Sequence, residues 1–327
     1  MVEEGGHAPG PVEAAPTSGV ETWTLQGAFT VAFLGATAGV QLSDMGVQAV
    51  SLSAIQDTFG ISDAALGSLQ GLAGVLVGSA LAIPLARFAD RYSRKRLLLC
   101  LIMASTAMMV LSALAPTFPL FFLGRSAAGI TEFAMVPLVY SMIPDVAPER
   151  HRVAANLAFA GLMAIGASGG FYFAGPLISA ADLLSPFALD PWRNAFLLLS
   201  LAGLPLLVLG MFTSDPPRRL TSEDRQAAGS LRGFLRTRWK TIVSFIGAAG
   251  FLIVAVQAIN YLIALALERH YSVPPGEVGK SLGVIVLATT LGCLPFAGVF
   301  DRLLSSRLRR AARPAIMATC TAITIPL

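Results

Sequence analysis

Long apolar runs alternate along this chain with short segments that hold nearly all of its charge. Each run is close to the length a helix needs to cross the hydrocarbon core of a bilayer, about 20 residues. The pattern predicts helices at Leu25–Val50, Ala64–Phe88, Leu97–Ala115, Pro119–Ile143, Val153–Ala180, Trp192–Phe212, Thr241–Leu267 and Val278–Phe300. A ninth run begins near Ala312 and meets the end of the chain at Leu327. From Ala315 only 13 residues remain, too few to span, so the chain is expected to be a fragment of a longer protein. A ninth segment with an unusual role is the alternative. The expected fold class is an all-α membrane protein.

The basic residues test this topology. Arg87, Arg91, Arg94, Lys95 and Arg96 lie between spans two and three, and Arg150 and Arg152 between four and five. Arg218, Arg219, Arg225, Arg232, Arg236, Arg238 and Lys240 lie between six and seven. Arg302, Arg307, Arg309, Arg310 and Arg313 follow span eight. Nineteen of the 23 basic residues therefore fall on one side. Cytoplasmic retention of Lys and Arg produces such a bias, and it places the N-terminus in the cytoplasm. It also accounts for the net charge of +4 without a nucleic-acid partner.

Composition adds exclusions. Only 13% of residues are charged, against about 25% in soluble domains, so a soluble fold of this length would lack polar surface. The first 22 residues contain no Lys or Arg and are rich in Pro, Gly, Ala and Glu. They read as a disordered tail rather than a signal peptide. Cys100, Cys293 and Cys320 lie in apolar runs without a CxxC pair. Neither a metal site nor a disulfide framework is indicated, and no cofactor is expected.

One segment recurs. Pro84, Ala86, Asp90, Arg91 and Arg96 return as Pro295, Ala297, Asp301, Arg302 and Arg307, at a constant offset of 211 residues. Both copies sit at the basic end of the second span of their half. An even number of spans separates them, so the halves have the same orientation, the plan of parallel six-span repeats. The resulting division is a tail at 1–23, a six-helix bundle at 24–213, a cytoplasmic inter-bundle loop at 214–240 and a partial second bundle at 241–327.

Residues Asp90 to Lys95, Asp-Arg-Tyr-Ser-Arg-Lys, resemble the loop between spans two and three of the major facilitator superfamily. Ala86 and Ser93 stand where that family usually has Gly. The resemblance implies the major facilitator fold and a cytoplasmic latch at Asp90, Arg91, Arg94 and Lys95, with Asp301 and Arg302 as the second copy. Asp90 can pair there with Arg91, Arg94 or an opposing backbone; simple positive-inside anchoring is the other reading. Finer similarity is to the spinster-like branch, at residues 54–67, at Gly124 to Glu132 and at Asp215 to Arg219. That branch usually has an Asp-Arg pair in span one, whereas Asp44 is followed here by Met45.

Three ionisable residues fall inside spans: Asp44, Arg125 and Glu132. Each costs at least roughly 2.5–3.5 kcal/mol to insert. Arg125 and Glu132 are seven residues apart, so they share one helix face, about 10 Å apart along the axis. The residues are read either as a proton-coupling and substrate cavity or as structure. Arg125 could hold the bundle by bonding carbonyls or Asp44, Glu132 could be its partner, and Asp44 could sit solvated near the outer interface. Resemblance to the branch makes Glu132 the expected proton carrier. In span five, Gly166 and Gly170 have the spacing of close helix packing.

These features imply a secondary transporter working by alternating access, and the resemblance implies an amphipathic or lipid-like solute. A small-solute or drug efflux pump is the alternative. From other classes, a receptor would not need the intramembrane carboxylates, and a lipid-acting enzyme would need a nucleophile with its base. His7, His151 and His270 all lie away from span centres, and the Gly-x-Ser-x-Gly at 166–170 lies inside a span rather than on a strand-to-helix turn. The expected surroundings are the plasma (inner) membrane bilayer, and the expected state is monomeric.

Overall fold

The computed structural model describes residues 23–71, 84–85, 88–89, 91–184, 189–213, 215 and 231–308. Ten α-helices of eight residues or more carry these: α1 Leu25–Val50, α2 Leu52–Phe59, α3 Asp63–Gly71, α4 Arg94–Leu114 and α5 Phe118–Val146. Then come α6 Arg152–Leu184, α7 Pro191–Ser200, α8 Gly203–Met211, α9 Leu231–Tyr271 and α10 Pro275–Leu308. The described residues form no strand. Among them, six helices are long and apolar enough to cross a membrane: Leu25–Val50, Arg94–Leu114, Phe118–Val146, Arg152–Ile178, Pro191–Met211 and Pro275–Cys293.

Span six is interrupted at Leu201 and Ala202, between α7 and α8. Pro205 has no N–H to give to the Leu201 carbonyl. Leu204 N–H bonds that carbonyl instead, at 3.1 Å, so the turn tightens and the helix restarts. The predicted seventh span is longer than expected. Helix α9 begins at Leu231, inside the expected loop, and carries non-helical backbone angles at Arg238. Most of the second predicted span, and the ninth run, lie outside the described residues.

The helices alternate in direction. Helices α1 and α6 run parallel: Gly35 meets Leu162, Gly39 meets Gly166 and Gly46 meets Gly170. Helices α6 and α10 run antiparallel, with Gly175 against Gly276, Phe171 against Gly279 and Ser168 against Gly283. Ser168 Oγ donates to Gly283 O at 2.6 Å across that seam. Loops consequently collect at two faces. At one, Trp23 packs edge-on against His151 and Lys95 donates to the Met211 and Thr213 carbonyls. At the other, Trp192 Nε1 donates to Thr58 Oγ1 at 3.0 Å, and Arg193 donates to the Ala113 and Ala115 carbonyls. The first is the face to which the sequence assigns the basic loops; we call it the basic face and the second the opposite face.

Two apolar clusters stack along the bundle. The cluster toward the opposite face includes Val47, Leu52, Ile55, Phe121, Trp192 and Phe196. The other includes Phe33, Leu34, Ile102, Met142, Ile143 and Phe159. Between the two lies a layer of small and polar positions on α1, α5 and α6, and the Asp44 and Arg125 side chains belong to it.

Candidate functional site

Helix α1 supplies Asp44, six residues before its end at Val50. That places its Cα about 9 Å along the helix axis from the end of α1. Asp44 is only 7% exposed, so it is not the solvated interfacial group that the sequence left open. Arg125, seven residues into α5, enters from the antiparallel neighbour at the same height. Its Nη1 donates to Asp44 Oδ2 at 2.6 Å. The Arg125 guanidinium also lies 5.4 Å from the centre of the Phe196 ring. Among the described residues, Asp44 Oδ1 and Arg125 Nε have no hydrogen-bond partner although both are buried. Burying the pair without completing its bonds is costly, and such a cost is usually kept at a working site.

The backbone of Glu132 lies at the middle of α5, two turns from Arg125 on the same face by helical spacing. The pair the structure describes is Arg125 with Asp44, 81 residues apart in sequence.

Gly166 and Gly170 line the contact of α6 with α1. A Cβ at Gly166 would lie 2.2 Å from Gly39 Cα, and one at Gly170 would lie 2.3 Å from Ser43 O. Ser43 Oγ donates to Gly166 O at 3.0 Å. This contact brings α6 directly behind the Asp44 segment of α1 and fixes its height.

Of the residues expected in the latch, Asp90 lies outside the described residues. Arg91 is exposed. Arg94 is buried and ion-paired with Asp145 at the end of α5, and its Nη1 donates to Ser141 O at 2.7 Å. Lys95 Nζ donates to Met211 O at 2.8 Å and Thr213 O at 2.5 Å. Arg94 thus ties α4 to α5, and Lys95 ties α4 to the residues at the end of α8. Asp301 and Arg302 stand near the end of α10, seven and six residues before Leu308.

A second polar cluster was missed in the sequence. At the opposite face, Arg269 from the end of α9 bonds Asp63 Oδ1 at 2.9 Å, Asp63 Oδ2 at 3.2 Å and Gln56 Oε1 at 2.6 Å. Gln56 Nε2 donates in turn to Asp63 Oδ1 at 2.9 Å and Ile61 O at 3.1 Å. The hydrogen bond from Arg269 holds the Asp63 carboxyl below the usual carboxylate range, helped by Gln56 and by the Arg269 charge. Arg269 is raised in return, chiefly by its bond to Asp63. Its one visible signal in the sequence was a lone arginine in a loop otherwise poor in cations.

The Major Facilitator Superfamily matches residues 32–327. Solute carrier family 22 member 15 of Xenopus tropicalis is 26% identical over 174 residues, 53% of this chain and 30% of that protein. An uncharacterized MFS-type transporter of Bacillus subtilis, YwfA, is 36% identical over 78 residues, 24% of this chain and 18% of that protein. The fold is similar to that of a bacterial homologue of the human lysosomal transporter Spinster, solved inward-facing and unoccupied. The TM-score is 0.74 at 22% identity, covering 88% of this chain and 64% of that one. A D-xylose–proton symporter gives a TM-score of 0.64 at 17% identity, covering 84% and 69%. The chain thus spans under a third of the length of these two curated relatives.

Proposed function

Because the chain belongs to the Major Facilitator Superfamily, and is therefore a multi-pass integral membrane protein, we propose that it is a secondary active transporter coupled to protons, moving an amphipathic or lipid-like organic solute by alternating access. The observation that carries the coupling is the buried Asp44–Arg125 pair, whose Asp44 Oδ1 has no partner among the described residues. As a unit the pair is neutral. Adding a proton to Asp44 would leave the Arg125 cation alone in an apolar layer, which is strongly unfavourable. Arg125 can avoid that state only by finding another anion. Glu132, on the same face of α5, is the one this reading assigns. Arg125 then exchanges between Asp44 and Glu132, and the carboxyl it leaves carries the proton.

The description of one structural neighbour as a D-xylose–proton symporter supports the proton. The same likeness favours a small polar solute as the second reading. The lipid-like solute rests on the likeness to the Spinster homologue. The latch residues Asp90, Arg91, Arg94, Lys95, Asp301 and Arg302 are assigned to the cytoplasmic face, where the two bundles meet and part. The N-terminus is then cytoplasmic, the membrane the plasma (inner) membrane, and the working unit one chain.

The test is Glu132→Gln in proteoliposomes, which mimics a permanently protonated carboxyl. A proton gradient should no longer drive accumulation of a fluorescent single-chain amphiphile, while gradient-free exchange survives at least partly. Competition by D-xylose would select the second reading of the solute. Undiminished gradient-driven uptake at normal expression would make Glu132 structural and move the proton to Asp44.

A further inference from the structure

Leu231 to Lys240 reads Leu-Arg-Gly-Phe-Leu-Arg-Thr-Arg-Trp-Lys and forms the first turns of α9. The backbone leaves helical geometry at Arg238, with φ −113° and ψ 17°. A segment of about two turns is thereby set off from the apolar body of α9, and it need not follow that body's axis. Successive helical residues turn by about 100°. Positions 231, 234 and 235 then cluster within about 100° of arc, while 232, 233, 236 and 237 occupy the other side. The apolar positions are Leu231, Phe234 and Leu235; the others are Arg232, Gly233, Arg236 and Thr237.

The charge is one-sided as well. Between Asp224 and Glu268 the sequence contains no carboxylate, whereas Arg232, Arg236, Arg238 and Lys240 fall within nine positions. Among the described side chains here, Arg236, Arg238 and Lys240 are exposed, and Trp239 is 55% exposed beside the Lys240 ammonium, 5.9 Å from its ring centre. A half-exposed tryptophan two residues before the predicted seventh span is in the usual place for an occupant of the headgroup layer. A short apolar face backed by basic residues is the pattern of a helix that lies in the interface.

We propose that Leu231–Thr237 lies in the bilayer surface as an interfacial helix and binds anionic lipid headgroups through Arg232, Arg236, Arg238 and Lys240. The kink at Arg238 is the bend between this helix and the span that follows. The proposal requires only membrane embedding and is independent of the solute and of proton coupling.

The experiment uses the whole protein in vesicles with a nitroxide label at Thr237, in a background lacking Cys100, Cys293 and Cys320. The vesicles are phosphatidylcholine alone, or phosphatidylcholine with a quarter phosphatidylglycerol. An immobilised spectral component should dominate only with the anionic lipid and shrink as salt is raised. Each basic residue near an anionic surface contributes about 1 kcal/mol, a factor of roughly five. Arg232→Gln with Arg236→Gln should lower the ratio of seated to free label by tenfold or more. Phe234→Ser with Leu235→Ser should also release it, at unchanged charge. Soluble glycerophosphate should not compete at millimolar levels. Equal spectra of the unaltered protein in the two lipids would overturn the proposal without any variant. So would an anionic preference that survives loss of both arginines, or seating that survives loss of both apolar residues.

Discussion

Replacing Gly170 or Gly166 with Ala should destabilise the fold although alanine is the better helix former. In a bilayer, lipid tails solvate apolar surface as well as protein does, so helices associate mainly through close packing and interhelical hydrogen bonds. The α1–α6 contact depends on that closeness. A Cβ at Gly170 would lie 2.3 Å from Ser43 O, and one at Gly166 would lie 2.2 Å from Gly39 Cα. Ordinary contacts are about 3.5–4.0 Å, so the helices must part by roughly 1 Å or more. Parting them stretches the Ser43–Gly166 hydrogen bond, now 3.0 Å, and opens the packing on both sides. Overpacking of this kind costs about 1–3 kcal/mol, against an intrinsic gain of up to about 1 kcal/mol for Ala over Gly in a helix. The net expectation for each variant is a loss of up to about 2 kcal/mol. Gly292 is the control: it lies in α10, and an added methyl there would meet nothing within 4 Å, so Gly292→Ala should be neutral or slightly stabilising. Unfolding by titration with SDS, followed by circular dichroism, measures all three. Equal midpoints for Gly170→Ala and Gly292→Ala would refute the argument. Because α6 also sets the height of Asp44, gradient-driven uptake should fall in Gly170→Ala beyond what the loss of folded protein explains.

The Arg269 bridge makes a prediction about pH. Its bonds hold Asp63 below the usual carboxylate range, so the bridge is complete above that range and is lost only as pH falls through the depressed value. Spin labels at Ser62 and His270 should keep one separation from about pH 8 to about pH 5, whereas Arg269→Gln should broaden the distribution at every pH. Asp145→Asn should cost about 3–5 kcal/mol in the same SDS titration, because it leaves the buried Arg94 guanidinium without its carboxylate. Replacing both partners with apolar residues should recover most of that loss. Asp90→Asn should insert normally and slow transport in proteoliposomes; unchanged transport would reduce that loop to a basic anchor.

Much of this protein is legible in one dimension. Spans can be read because backbone polar groups must be satisfied internally in lipid, which forces helices of bilayer length and leaves charge to the loops. Helix α1 begins and ends where the apolar run does, at Leu25 and Val50. The Asp44, Arg125 and Glu132 positions stood out because a charge within an apolar run needs a reason to be there. The tertiary structure decided who pairs with whom. Arg125 finds Asp44 because α1 and α5 run antiparallel and meet at one height. Arg94 finds Asp145 because α4 and α5 do the same at the basic face. Asp63 and Arg269, 206 residues apart, meet because the chain returns to the opposite face at the end of α9. No periodicity records these partners. Apolar positions fit lipid and protein nearly equally well, so the sequence marks which residues are inside the membrane without saying which helix each faces. That choice is made where the backbones come closest, at Gly39, Gly46, Gly166 and Gly170, whose missing side chains carry no sign of their partner.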